Sequence, residues 1–152
     1  MRITQINHLA IAVDDLERAL GFWRDGLGLE VTHEAREEGQ GVEVAFLPVG
    51  EAAVELVRPL DGNSGVAKFI ERRGGGIHHM CLEVDDLDAA LTRLREHGVR
   101  LTSEEPYINT AGRRLIFVHP ASSGGVLVEL YEALPREASS DDGHGAGRSS
   151  TA

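Results

Sequence analysis

The sequence predicts an α+β fold: two tandem βαβββ modules, side by side, forming one curled eight-stranded sheet. Three observations predict it. The phrase Ile6-Asn7-His8-Leu9-Ala10-Ile11-Ala12-Val13-Asp14-Asp15-Leu16 returns as Ile77-His78-His79-Met80-Cys81-Leu82-Glu83-Val84-Asp85-Asp86-Leu87. The register is constant: His8 to His79 (79 − 8), Asp14 to Asp85 (85 − 14) and Phe46 to Phe117 (117 − 46) each span 71 positions. Val54-Glu55-Leu56 recurs as Val128-Glu129-Leu130 at a spacing of 74 (129 − 55), so the final hairpin of the second half is three residues longer (74 − 71). Landmarks repeated in one order mark an internal duplication.

Each element follows from local pattern. Residues 3–13 alternate as a strand, with Leu9, Ile11 and Val13 on one side and His8, Ala10 and Ala12 on the other. Asp14 or Asp15 caps a helix whose apolar face is Leu16, Ala19, Leu20 and Trp23, and Gly26 and Gly28 end it. A second strand follows over 29–35, then a charged turn at 36–41. The third strand, 42–49, has Val42, Val44 and Phe46 on one face and Glu43, Ala45 and Leu47 on the other. Gly50-Glu51 turns the chain into the fourth strand, 52–58. A connector over 59–76 carries a short helix around Val66, Phe69 and Ile70. Gly74-Gly75-Gly76 stops it; with no strand before it and the wrong spacing for a phosphate loop, the run reads as a flexible turn.

The second half repeats the order. A strand over 77–84 leads to a helix over 86–97 with Leu87, Ala90, Leu91 and Leu94 as its apolar face, closed by Gly98. Strand 99–103, loop 104–112, strand 113–119, turn 120–125 and strand 126–131 complete it. The domain is thus expected over 1–134, with modules at 3–58 and 77–133. Residues 135–152 have almost nothing to bury and are expected to form a disordered tail.

The 152 residues suffice for one domain or two small fused units, and 41% hydrophobic with 26% charged residues suits a globular chain in water. A net charge of −10 argues against a nucleic-acid binder, which would carry a basic stripe. The single cysteine, Cys81, makes no internal disulfide, and no leader or membrane-length apolar run stands out. A cytoplasmic location is expected.

The duplication also assembles a site. A βαβββ module covers one sheet face with its helix and leaves the other bare, so two modules enclose a concave face. Strand parity turns His8 and His79 away from their helix-facing neighbours, and likewise Glu55 and Glu129. An ionised carboxylate in mid-strand is costly unless it is paired or bound to metal. One such histidine is more often a packed residue than a ligand; equivalence across the repeat is what argues for His8, Glu55, His79 and Glu129 as a set. Imidazole and carboxylate donors suit a divalent first-row ion. Four ligands leave two octahedral positions open, which points to catalysis rather than a closed structural site. Ala10, Ala12, Ala45 and Cys81 are small neighbours that leave room.

Other residues carry less. His78 has the opposite parity and supports the structure or a ligand. His33, His97 and His144 read as surface residues, and His119 orients the turn after it. Cys81 reads as a buried small hydrophobe. Glu43 has no acidic counterpart, since its repeat partner is Arg114 (114 − 43 = 71). It reads either as a surface glutamate on an edge strand or as a carboxylate aimed at bound substrate opposite Glu129. Two carboxylates flanking one carbon can remove an α-proton and return one on the other face, while a metal ion stabilises the enolate oxygen.

The paired plan with these residues resembles the vicinal oxygen chelate (glyoxalase I-like) superfamily, and within it the methylmalonyl-CoA epimerase family. The resemblance runs from about Ile3 to Ala133. It is carried most specifically by the connector Val66-Ala67-Lys68-Phe69-Ile70-Glu71-Arg72-Arg73-Gly74-Gly75-Gly76-Ile77-His78-His79 and by Phe117-Val118-His119-Pro120 through Gly124-Gly125-Val126-Leu127-Val128-Glu129-Leu130. It implies epimerisation of (R)- and (S)-methylmalonyl-CoA by 1,1-proton transfer, in propionate and branched-chain catabolism. It implies a divalent metal ion held by His8, Glu55, His79 and Glu129: cobalt first, with Mn2+, Ni2+, Zn2+ or Mg2+ as alternatives. Glu43 falls on the family's catalytic base, and Glu129 on the ligand proposed as the opposing base. An acyl-CoA substrate and a homodimer are implied too, with Lys68, Arg72, Arg73, Arg113 and Arg114 as unranked candidates for the CoA phosphates. One loop departs from the family: Asn109 and Ala111 stand at expected glycines, and large Tyr107 lies nearby, which points toward a relative of methylmalonyl-CoA as substrate. The rival readings are a glyoxalase I-like lactoylglutathione lyase and a non-catalytic resistance-type binding protein.

Overall fold

The structure, a computed structural model, describes residues 1–134; the expected disordered tail and His144 lie outside the described residues. The strands are β1 (Ile3–Ala12), β2 (His33–Glu37), β3 (Val42–Val49), β4 (Ala52–Pro59), β5 (Gly76–Val84), β6 (Tyr107–Ile108), β7 (Arg114–Val118) and β8 (Val128–Glu132). They form one sheet in the order β2-β3-β4-β1-β5-β8-β7-β6. β1 runs parallel to β4, β5 runs parallel to β8, and β1 and β5 meet antiparallel at the centre. The two halves therefore join through their first strands, and the sequence duplication becomes an approximate two-fold axis between β1 and β5.

The helices divide the sheet's faces. Helix α1 (Leu16–Leu20) is capped by Asp15, whose carboxylate accepts from the Arg18 amide at 3.0 Å. Helix α3 (Leu87–Glu96) is capped in the same way by Asp86, from Ala89 at 2.8 Å. Leu20 of α1 packs on Ala45, Leu47 and Leu56, and α3 packs Leu87, Ala90 and Leu91 on Val84, Ile116, Val118 and Leu130. Both cover the convex face. The connector helix α2 (Gly65–Arg73) covers the opposite, concave face of the first module, where Val66 meets Ala10, Ala12, Val42, Val44 and Val57. Among the described residues the second module has no helix equivalent to α2. Its concave face is left to wall a cavity of about 1140 Å³.

The triple glycine has a steric origin. Gly74 closes α2 at a φ of 72°, with its amide donating to the Ile70 carbonyl. A Cβ on Gly75 would stand 2.9 Å from the Ala12 carbonyl oxygen, so this approach of connector to β1 admits no larger residue without a shift.

Several local expectations change, beginning with the second strand, expected at 29–35 and found at 33–37. Helix α1 continues beyond Leu20 as a wider π-helical turn, Gly21–Gly26. The expected strand at 99–103 is reduced to one bridge, Leu101 to Val118, and β6 lies instead within the expected loop. The loop before β7 is tied to the sheet's far edge. There Glu37, ending β2, accepts from the Thr110 amide at 3.0 Å and its hydroxyl at 2.6 Å. This contact links the two edges of the sheet. No helix among the described residues is long and apolar enough to cross a membrane.

Candidate metal centre

The centre is built on the two central strands, and each carries a bulge beside its histidine. Between Ile6↔Leu82 and His8↔Cys81, β1 advances two residues while β5 advances one, so Asn7 is the extra residue. Between Ala10↔His79 and Ile11↔Ile77 the excess lies on β5, at His78. Asn7 and His78 are equivalent positions of the repeat (78 − 7 = 71). A bulge bends the strand and re-aims a side chain. Here it lets each extra residue touch the ring that follows it: Asn7 Oδ1 lies 2.9 Å from His8 Nδ1, and His78 Nδ1 lies 2.8 Å from His79 Nδ1. His78 was expected to turn away on simple parity; the bulge is why it does not.

These contacts set the ring tautomers. Asn7 Nδ2 donates to Glu83 Oε2 at 3.2 Å, which leaves the amide oxygen facing His8 and places a hydrogen on His8 Nδ1. Burial, reinforced by the neighbouring His79, holds His78 down at about 4, so it is neutral and can accept from His79 Nδ1. Either way the Nε2 lone pair is free to face the cavity, an arrangement that prepares histidine for a metal. Two aromatic edges at repeat-equivalent positions brace the rings. Phe46 lies 5.4 Å from His8 and Phe117 5.3 Å from His79, both near perpendicular.

The four candidate ligands converge. His8 Nε2 lies 3.1 Å from Glu55 Oε2 and 3.2 Å from Glu129 Oε2; His79 Nε2 lies 2.9 Å from Glu129 Oε2 and 3.7 Å from Glu55 Oε2. All four residues are buried, none more than 8% exposed. Yet neither Nε2 has a partner in hydrogen-bond geometry, although both are fully buried. The short N–O distances are ion-pair contacts off the ring-nitrogen direction. Two orphaned nitrogens and two buried carboxylates around one point fit a cation, and His8, His79 and Glu129 form the tightest three-ligand group. Without the ion a proton stands in its place. Burial opposes a charged His8, but Cys81, Glu129 and Glu55 outweigh it and drive its pKa upward. Burial likewise opposes the Glu129 charge, but His79 and His8 hold that carboxyl low. Cys81, opposite His8 on β5, is pushed by burial up to about 12 and stays a neutral thiol.

Glu43 does not join them. It shares a face of β3 with Ala45 and Leu47, which pack toward α1 on the convex side; Ala45 therefore leaves the ligand surroundings as well. Glu43 Oε2 accepts from Arg58 Nε and Nη2, both at 3.0 Å, and it does not line the cavity. Glu43→Gln is accordingly expected to keep turnover within about twofold of wild type and to cost less than about 1 kcal/mol of stability. Steady-state kinetics and urea denaturation check both. Among the cationic candidates Arg72 and Arg73 line the cavity, Arg114 is bound on the convex side to Asp88 and Glu132, and Arg113 stacks on Tyr131. His33 and His119 line the cavity rim, where His119 Nδ1 accepts from the Ala121 amide; His97 is exposed at the end of α3. Asn7, Glu83, the two phenylalanine clamps and Tyr131 were not singled out from sequence for the site, although Asn7 and Phe46–Phe117 stood in the repeat register.

Residues 7–117 match the model of the glyoxalase/bleomycin resistance protein/dioxygenase superfamily. An ethylmalonyl-CoA/methylmalonyl-CoA epimerase of Cereibacter sphaeroides is 45% identical over 86% of this chain and 98% of its own. The crystal structure of the Mycobacterium tuberculosis methylmalonyl-CoA epimerase is 43% identical, with a TM-score of 0.83 over 88% of this chain and 90% of that one. The chain belongs to the methylmalonyl-CoA epimerase family. A Streptomyces coelicolor epimerase variant in complex with 2-nitronate-propionyl-CoA has the same fold, at a TM-score of 0.83 and 36% identity over 87% of this chain and 96% of that one. As a member of the epimerase family the chain is an isomerase of the racemase/epimerase type. Its curled sheet is the expected architecture, and a divalent metal site fits its buried His-His-Glu group.

Proposed function

We propose that the protein interconverts (R)- and (S)-methylmalonyl-CoA by 1,1-proton transfer, using a divalent metal ion held by His8, Glu55, His79 and Glu129. The observation that carries this reading is the convergence of the repeat-related carboxylates, Glu55 and Glu129, on two buried imidazoles whose Nε2 atoms have no hydrogen-bond partner. A bound ion supplies Lewis-acid stabilisation of the negative charge that develops on the thioester oxygen. The chain supplies the rest. Glu129 as carboxylate takes the α-proton from one face, and the C–H electron pair enters the enolate. Glu55, replacing Glu43 in this role and starting as the carboxylic acid, delivers its proton to the other face, so that Glu129 ends protonated and Glu55 ionised, ready for the reverse direction. Phe46, Phe117 and the buried walls keep the exchange away from bulk water.

The test is incubation of the metal-replete protein with each methylmalonyl-CoA isomer in heavy water. Epimerisation with deuterium at the α-carbon is expected. Inert methylmalonyl-CoA together with turnover of methylglyoxal and glutathione would transfer the site to the lyase reading, and loss of neither substrate would leave a binding protein.

Ion binding must displace the proton on His8. The sign follows: a raised His8 pKa means that metal affinity falls as pH is lowered, by about tenfold per pH unit for each proton displaced. Competition titrations between pH 6 and 8 check the slope.

A further inference from the structure

The duplicated site is not symmetric in its walls. Two residues beyond each ligand carboxylate, on the same concave face, stand Val57 in the first module and Tyr131 in the second. Val57 is buried beneath α2 among valines and alanines. Tyr131 is half-buried and lines the cavity, its ring centroid 6.5 Å from that of His8. Along a strand the step from Glu129 to Tyr131 is about 7 Å, within the reach of a small acyl head held beside the ligands. One wall is therefore apolar and the other carries a hydroxyl.

The direction of that hydroxyl is legible. Asn109 Oδ1 accepts from the Ala111 amide at 3.1 Å and the Arg113 amide at 2.9 Å. Its Nδ2 then faces Tyr131 and donates to the phenol oxygen at 3.0 Å. The phenol thus acts as acceptor toward the protein, and among the described residues its own hydrogen goes to no acceptor. Arg113 fixes the ring from behind: its guanidinium carbon lies 4.2 Å from the ring centroid, and its Nε donates to the Glu132 carbonyl at 2.8 Å. The result is a held ring with an unspent O–H on the cavity wall.

We infer that Tyr131, aimed by Asn109, is the hydrogen-bond donor that recognises the free carboxylate of the acyl-CoA substrate. The inference rests on the substrate class proposed above. A substrate carboxylate must approach Glu55 and Glu129, whose charges repel it. A neutral O–H beside them offers a charge-assisted hydrogen bond without adding to that repulsion. The alkyl substituent of the same α-carbon is left to the valine wall. Tyr131 is a binding residue in this scheme and Asn109 a positioning residue.

The test compares binding of methylmalonyl-CoA and of propionyl-CoA, the same acyl chain without the carboxylate, to metal-replete protein by calorimetry. Tyr131→Phe is expected to cut the preference for the carboxylate ligand about tenfold while leaving propionyl-CoA affinity within about twofold, which also reports an intact fold. Asn109→Asp keeps the two amide bonds of its loop, but its second oxygen takes the Tyr131 hydrogen. The same preference is then lost, and the effect shrinks in the Tyr131→Phe background. A purely structural Asn109 predicts an equal effect in both backgrounds. An unchanged ligand ratio in Tyr131→Phe, or that equal effect, overturns the assignment. The ratio is read without turnover, so a wild-type protein that fails to epimerise strikes the proposed function and not this contact.

Discussion

Glu129→Gln is expected to slow α-proton exchange by about a thousandfold, the upper part of the range for losing a positioned acid-base group. The amide keeps one oxygen for the metal but accepts no proton. Glu129 is 5% exposed and touches both histidines, so no water-borne carboxylate takes over its place. With a base on each face, the variant should lose exchange with one isomer more completely than with the other, and Glu55→Gln should show the opposite preference. Deuterium wash-in followed by mass spectrometry separates the isomers, and elemental analysis reports retained metal. Near wild-type exchange from both isomers in Glu129→Gln would remove the residue from the chemistry.

His79→Ala is expected to act on both metal and fold. It deletes one of two buried imidazoles, so metal affinity should drop by more than about a hundredfold, beyond what losing a supporting residue costs. In the ion-free protein it also strips Glu129 of its 2.9 Å partner and leaves a buried carboxylate underpaired. Breaking such a pair costs about 3–5 kcal/mol. Urea denaturation in the presence of a chelator should show a lower midpoint at unchanged slope. Chelated wild type should regain turnover when a divalent ion is restored, whereas His79→Ala should not. Full recovery in the variant would mean that the ion sits elsewhere.

Much of this was legible in the chain itself. The duplication, the caps at Asp15 and Asp86, the apolar faces of α1 and α3 and the two His-Glu pairs are all written in spacing, because hydrophobic periodicity and repeat register are properties of a sequence. Glu43 shows where such reasoning stops. Both faces of β3 are apolar: Val42 and Val44 lie beneath α2, and Ala45 and Leu47 face α1. Alternation then separates two faces without saying which is concave, since neither is wet. The strand expected at 99–103 is reduced to one bridge, Leu101 to Val118, and the further pairing with β7 falls to Tyr107 and Ile108.

By itself, then, the sequence determined the paired modules, the candidate ligands and their membership of one face. Tertiary structure decided what surrounds them. Asn7 and His78 reach the ligand rings because each is an extra residue in its ladder, and a one-residue bulge reverses the facing that alternation assigns. Tyr131 meets Asn109 across 22 positions of chain, and Glu37 meets Thr110 across 73. Such encounters depend on how a sheet curls and where its edges meet, and no local period encodes that curvature.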